Sequence, residues 1–300
     1  LFNSDGVVLH SKKIKHALFR PQQYHVESDA LVILETCKSL FEKMVIASGD
    51  MEVHSSGLAI QRSTFLFWEK ESCTPITPAL SWQDSRAHAI VEEFSTHSDK
   101  LWQITGTPLS AHFGGPKFLH MFRENPQLKN RVKNGELYFG PLSAFLSQAM
   151  TGTAGVEESI ACRSLLYDIH KGDWSEFALN LFGVSPQCLP PLVPVKYDFG
   201  YMLDSKIPLA VVIGDQQAAL IGQAGLKLGS IATNFGTSGS VQFNAGQNPT
   251  IVNGLISSVF YSDENIKYFM VEGTINACNS LFYHLEEELG IAHDKMEWDY

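Results

Sequence analysis

Ile207-Pro208-Leu209-Ala210-Val211-Val212-Ile213-Gly214-Asp215-Gln216-Gln217-Ala218-Ala219-Leu220-Ile221-Gly222 changes character in its middle. Residues 207–213 are apolar without polar alternation, the pattern of a strand buried on both faces. The run stops at Gly214-Asp215, and residues 216–222 read as a helix. A buried strand passing straight into a helix is the building unit of an α/β fold. It places one carboxylate, Asp215, at the C-terminal end of the strand, where open α/β sheets hold their ligands. Two roles fit that position. Asp215 can serve as a general base, or it can simply cap the helix, because Asp is a favoured N-cap.

Toward the C-terminus, Ser230 to Phe235 and Ser240 to Asn244 read as strands, with Gly236-Thr237-Ser238-Gly239 between them. Small residues there let backbone N–H groups approach a phosphate. An ordinary hairpin turn has the same composition. A strand at 268–272 and a helix from about Asn276 to Leu289 are predicted to follow. Toward the N-terminus, Asn3-Ser4-Asp5-Gly6 is predicted to turn the chain into a strand at Val7-Val8-Leu9-His10. Ser28 or Asp29 is predicted to cap a helix to about Ser48, with Leu31, Leu34, Cys37, Leu40 or Phe41, and Met44 or Val45 on its buried face. Short strands are predicted at 57–60, 64–68 and 79–82, and helices at about 86–97, 116–124, 142–150 and 174–181. Residues 183–206 are proline-rich and read as mostly extended. His112-Phe113-Gly114-Gly115-Pro116-Lys117 reads either as a binding loop or as a helix start with Pro116 at its first position. Trp82-Gln83-Asp84-Ser85-Arg86 reads most plainly as a packed Trp beside a surface Asp–Arg pair.

Composition narrows the function classes. The chain has 300 residues, 44% hydrophobic and 18% charged, which is globular and excludes a disordered chain. Lys plus Arg is 22 and Asp plus Glu is 32, so the net charge is −10 and no basic nucleic-acid footprint is present. The apolar runs are far shorter than the roughly 20 residues of a membrane helix, so no membrane partner is expected. Five widely spaced cysteines without a C-x-x-C pair argue for free thiols, and thus for a cytoplasmic location. The eleven histidines form no metal-binding motif. There is no G-x-x-x-x-G-K-[ST], no G-x-G-x-x-G and no G-x-S-x-G, which removes the P-loop and weakens dehydrogenase and hydrolase readings.

The blocks acquire a common meaning when taken in order. Gly214-Asp215-Gln216-Gln217-Ala218-Ala219-Leu220 followed by Asn234-Phe235-Gly236-Thr237-Ser238-Gly239 resembles the domain-junction motif of the FGGY carbohydrate kinases, those acting on glycerol most of all. Gln61-Arg62-Ser63-Thr64 with Trp68-Glu69-Lys70-Glu71 resembles the family's substrate-loop strand pair, and Trp82-Gln83-Asp84-Ser85-Arg86 its W-x-D-x-R segment. Gly115-Pro116-Lys117, Leu137-Tyr138-Phe139-Gly140, Cys162-Arg163-Ser164 and Val271-Glu272-Gly273 also match. The resemblance implies two actin-like (ribonuclease H-like) α/β domains about a cleft. It implies ATP and Mg²⁺, with a sugar or polyol as the phosphoryl acceptor. Asp215 would be the general base and a Mg²⁺ neighbour. Arg62, Trp82, His112, Asp215 and Gln216 would hold the acceptor, and Gly236 and Thr237 the ATP phosphates.

Three positions depart from the pattern seen in kinases of glycerol. Ser63 stands at a Glu position, His112 at a Tyr position and Ser240 at a Phe position. Each change shrinks the side chain, so the pocket is expected to be wider, polar and suited to an acceptor larger than glycerol. The family's D-x-G-T phosphate loop would precede Leu1, and its Gly-rich adenine motif would follow Tyr300. Residues 1–225 are thus expected to form an acceptor-binding domain lacking its first strand, and residues 226–300 the start of a nucleotide-binding domain. A catalytically impaired, kinase-derived sugar-binding protein is the alternative expectation. A homo-oligomer is left open.

Overall fold

The computed structural model describes residues 1–235, 239–275, 278, 281, 284–286 and 288–290. Elements are numbered in chain order. A two-residue strand β1 (Glu27–Ser28) leads into helix α1 (Ala30–Ser48). Asp29 is the N-cap of α1: its carboxylate accepts from the backbone N–H groups of Leu31 and Val32, satisfying donors that a helix start leaves open. Strands β2 (Ser56–Ile60), β3 (Phe65–Glu69) and β4 (Ala79–Leu80) follow. Helices α2 (His88–Glu93), α3 (Ser98–Thr105), α4 (Gly114–Glu124) and α5 (Pro126–Lys133) form the next block. Then come β5 (Leu137–Pro141), α6 (Leu142–Thr151), β6 (Val156–Glu157), the single-turn α7 (Glu158–Ala161), β7 (Tyr167–Asp168), β8 (Asp173–Trp174), α8 (Glu176–Phe182) and β9 (Leu192–Val193). The deciding stretch gives β10 (Leu209–Gly214) and α9 (Asp215–Ala224). Beyond it lie β11 (Ile231–Phe235), β12 (Gly239–Gly246), β13 (Ile256–Ser262) and β14 (Lys267–Ile275).

Two sheets organise these elements. One runs β1-β4-β3-β5 and the other β11-β12-β14-β13, the second antiparallel at every pairing. Between them β10 pairs in parallel with β2, setting Gly214 opposite Ile60. Strand β3 shows why its sheet sits at the centre of the core. Phe65 and Phe67 face one cluster with Phe118 and Phe139. Leu66 and Trp68 point the other way, into a cluster with Phe145 and Leu146. The period of two therefore buries both faces of one strand. A third, smaller cluster of Leu220, Ala232, Phe260 and Met270 packs α9 on the second sheet.

Strand β13 is held firmly by residues that precede β10. Ser257 N–H donates to Gly106 O at 2.7 Å, and Lys196 N–H donates to Ser262 O at 2.9 Å. Val259 N–H donates to the Cys162 thiol sulfur at 3.3 Å. Gly106 is the close point of this junction. Its φ is +71°, and a Cβ there would stand 2.5 Å from Ser257 O. Gly106→Ala combines a left-handed backbone with a clash against a carbonyl. It should destabilise the chain by about 2 kcal/mol or more, read as a lowered urea midpoint. An unchanged midpoint would show that β13 is not held there.

Several expectations need correction. Residues 7–10 form no strand; one isolated bridge, Phe2 to Val8, closes the turn, and this region is exposed, so no apolar face fixes a ladder. The stretch expected as one helix at 86–97 breaks into α2 and a 3-10 turn at Ser95–His97. Helices α3 and α5 and strand β13 were not anticipated. Helix α4 starts at Gly114 rather than at Pro116. The helix expected from about 276 to 289 falls largely outside the described residues, as do Gly236 and Thr237.

Candidate active site

The site grows from the parallel pair. Because Gly214 lies opposite Ile60, the next residues of the two strands emerge on the same edge, the carboxyl ends where α/β sheets bind ligands. On one side that residue is Asp215. On the other, two positions beyond Ile60, it is Arg62. Asp215 Oδ1 lies 3.6 Å from Arg62 Nε. The capping role for Asp215 loses ground here. The helix N-cap is Gly214, and Asp215 is already the first helical residue. Among the described residues its carboxylate accepts only from the adjacent Gln216 N–H, at 2.8 Å, and it remains about half exposed. Burial lifts its pKa above the ordinary carboxylate value, against the pull of Arg62.

Gly214 itself is fixed from beneath. Its N–H donates to Ser159 Oγ at 3.0 Å. That hydroxyl in turn donates to Glu157, a buried carboxylate that also accepts the N–H groups of Ser159 and Ile160. Burial pushes Glu157 up to about 8, with Ser159 opposing the shift. The strand end carrying Asp215 is thus anchored to the start of α7.

Arg62 does more than face Asp215. Its Nη1 and Nη2 donate to the two oxygens of Glu272 at 2.7 and 2.8 Å. Arg163 Nη2 donates to the same carboxylate. Glu272 is 1% exposed and Arg163 3%, so this is a buried Arg–Glu–Arg triad. It joins the loop after β2, the turn after α7 and strand β14. The sequence alone marks neither Glu272 nor Arg163 as a site residue, although both lie in segments that resemble the family. The available signal was a lone Glu ending the apolar run Phe269-Met270-Val271. A carboxylate there needs a buried cation.

The second half of the site lies on the loop after β4. Trp82 is 46% exposed, whereas Asp84 is 0% exposed, the reverse of the plain reading of that segment. Asp84 accepts from Val26 N–H at 2.7 Å and from Arg86, whose Nη2 also donates to Glu27. Trp82 N–H donates to Thr64 Oγ1 at 3.2 Å. His112 Nδ1 lies 3.0 Å from Trp82 O. A carbonyl only accepts, so Nδ1 carries the proton. Burial, reinforced by Lys117, lowers the His112 pKa. The neutral ring then offers Nε2 as an acceptor for a hydroxyl.

Gln216 turns its carbonyl toward the second sheet. Oε1 accepts from Asn234 Nδ2 at 3.1 Å, from Ser240 Oγ at 3.1 Å and from Gln242 Nε2. Where the resemblance puts a Phe, this chain has an amide and hydroxyl cluster. The structure therefore brings Asp215, Arg62 and Gln216 together at one strand edge. It joins His112 to Trp82 on a neighbouring loop. Among the described residues no group of three or more His, Cys, Asp or Glu could hold a metal ion. Asp215 alone fits a Mg²⁺ carried mainly by phosphates and water, the usual habit of that ion. No described helix is long and apolar enough to cross a membrane.

Comparison with known proteins identifies the family and the fold of the chain. The model of the FGGY family of carbohydrate kinases, N-terminal domain, matches residues 1–222. Glycerol kinase 1 of Thermotoga maritima is 30% identical over 99% of this chain and 63% of its own length. Glycerol kinase of Aeromonas hydrophila is likewise 30% identical, with 62% of its length covered. Among solved structures, glycerol kinase of Plasmodium falciparum with ADP superposes with a TM-score of 0.91 at 24% identity. It is matched over 98% of this chain and 62% of that one. Gluconate kinase of Lactobacillus acidophilus gives 0.84 at 15% identity, over 98% and 60%. The chain thus spans less than two thirds of the length of these relatives. The fold is the actin-like α/β architecture of these kinases, as the sequence blocks implied, and the chain belongs to the FGGY family of carbohydrate kinases.

Proposed function

We propose that this chain is the acceptor-binding part of an ATP-dependent kinase that phosphorylates a hydroxyl of a sugar or polyol. The observation that carries the reading is the half-exposed Asp215 carboxylate at the carboxyl end of β10, 3.6 Å from Arg62 on the parallel neighbour. In the reaction the acceptor oxygen attacks the γ-phosphorus of ATP, its proton passes to Asp215, and ADP leaves. Phosphoryl transfer asks little covalent chemistry of the protein and much positioning. Arg62, Trp82, His112 and Gln216 supply the positioning. His112 Nε2 accepts from a hydroxyl, and Trp82 packs against the carbon skeleton. Asp215 would stand beside a Mg²⁺ bound with the nucleotide, and the ion would supply charge neutralisation for the transferred phosphoryl group. We assign residues 1–225 to the acceptor side of the cleft and residues 226–300, with Gly236 and Thr237, to the nucleotide side.

The polar cluster around Ser240 and the small Ser63 favour an acceptor longer than glycerol. A panel of glycerol, tetritols, pentitols, pentuloses and hexoses, followed by coupled ADP release, tests this. The best longer acceptor should exceed glycerol by roughly tenfold or more in kcat/KM, the worth of one or two added hydrogen bonds. Glycerol emerging as by far the best acceptor would refute the wider pocket.

A further inference from the structure

Lys117 is 0% exposed, a rare state for a lysine. It lies in the first turns of α4, which is pressed against its surroundings. A Cβ on Gly114 would stand 2.9 Å from the Phe65 ring, and one on Gly115 2.5 Å from the Phe182 ring. Two glycines thus allow the helix start to sink between β3 and α8 and carry Lys117 inward. Its Nζ donates to Ser63 O and to Ser81 O, both at 2.7 Å. Ser63 follows Arg62, and Ser81 precedes Trp82. Ser63 is held at φ +63°, a left-handed conformation that a non-glycine residue adopts only when its surroundings impose it. One ammonium group therefore bridges two loops 18 residues apart, each adjoining a residue of the acceptor site.

We infer that Lys117 is the positioning residue that sets the separation of the Arg62 and Trp82 loops, and through it the width of the acceptor pocket. The inference rests on the acceptor-site reading proposed above. Asp84, Arg86 and His112 are the charged or titratable groups around the ammonium. Burial lowers Lys117 to about 7. Two carbonyl acceptors need only two N–H donors, so the neutral amine and the ammonium both keep the bridge. The loops are tied by geometry and not by net charge.

Lys117→Met keeps the length of the side chain and removes both donors. Hydrogen exchange followed by mass spectrometry reads the loops directly, because Gln83 and Asp84 N–H bond to Ser81 within one loop and Trp82 N–H bonds to Thr64 Oγ1 beside the other. Their exchange should rise roughly tenfold or more in the variant, while the amides of α6 and β13 keep their protection. In turnover assays the KM for the best acceptor of the panel should rise by roughly tenfold to a hundredfold, with the KM for ATP within about twofold of wild type. Unchanged exchange at 82–84 overturns the inference, and so does a uniform rise across the chain, which would mark Lys117 as a general stabiliser. Should Lys117→Met fail to fold, Lys117→Leu, which likewise has no donor, is read by the same criteria. Turnover is read on wild type carrying the flanking sequence expected to hold the phosphate loop and adenine motif; if that protein forms no acceptor-dependent ADP, the kinase reading fails, and the exchange result still decides the role of Lys117.

Discussion

Asp215→Asn should lower acceptor-dependent ADP formation by roughly a hundredfold to ten-thousandfold, the range set by loss of a general base. Asn fills the same space and can still accept from Gln216 N–H, as Asp215 does at 2.8 Å. The helix start and the acceptor loops therefore stay in place, and acceptor binding should persist. The carboxylate is also the partner of Arg62 Nε at 3.6 Å. Because Asp215 is about half exposed, losing this contact should change stability by no more than about 1 kcal/mol. The result is thus a large fall in kcat with little change in the urea midpoint. The pH dependence has a definite sign. The Asp215 pKa is raised, by burial first, with Arg62 opposing. On lowering the pH, the wild type should lose its base at a higher pH than an ordinary Asp would, and Asp215→Glu should retain an acid limb while Asp215→Asn has none. Turnover of Asp215→Asn equal to wild type would remove Asp215 from the proton transfer.

The local physics of the site was readable where one residue decides one feature. The uninterrupted apolar run 207–213 followed by Gly214-Asp215 specifies a buried strand, its end, and the carboxylate on it. Observed β10 and α9 meet at that boundary. Asp29 capping α1 was equally local. The partners of the site residues were not local. Arg62 is tied to Glu272 across 210 positions of sequence, and to Gln217 across 155. Lys117 reaches Ser63 and Ser81 through 54 and 36. No periodicity encodes such pairings; they follow from how two sheets and α7 stack. The segment Trp82 to Arg86 shows the same limit. A Trp and an Asp in one polar run suggest a buried ring and an exposed charge. The charge is instead buried, because Val26 N–H and Arg86 both need Asp84. Helix α5 is strongly polar and α3 only eight residues long, so packing, of α5 on α4 and of α3 on β7, more than local pattern, holds them.

Glu272→Gln should be the most destabilising single change at the site, by about 3–5 kcal/mol, because it leaves two buried guanidinium groups without their counter-charge. Burial alone would raise the Glu272 pKa. Arg62 and then Arg163 overcome it and hold the carboxyl at about 2, below its ordinary value of 4.5. A carboxylate depressed on folding contributes stability above its unfolded pKa and loses it as the pH falls through the folded value. The wild type should therefore weaken between about pH 4.5 and pH 2, and Glu272→Gln should lack that part of the acid transition. Among the described residues the Arg163 Nε atom has no hydrogen-bond partner, so Arg163 is held mainly through this one carboxylate. Arg163→Met in the Glu272→Gln background should then recover part of the lost stability, since the double change removes a stranded charge together with its absent partner. A second effect reaches the chemistry. Glu272 raises the Asp215 pKa, while Arg62 and Arg163 lower it. Removing the Glu272 charge should therefore move the acid limb of the rate profile to lower pH, leaving Asp215 ionised and a weaker base. Urea titrations at pH 7 and pH 4 measure the first effect, and the pH profile of kcat the second. A Glu272→Gln chain as stable as wild type at pH 7 would show that the triad is not what joins β14 to the Arg62 loop.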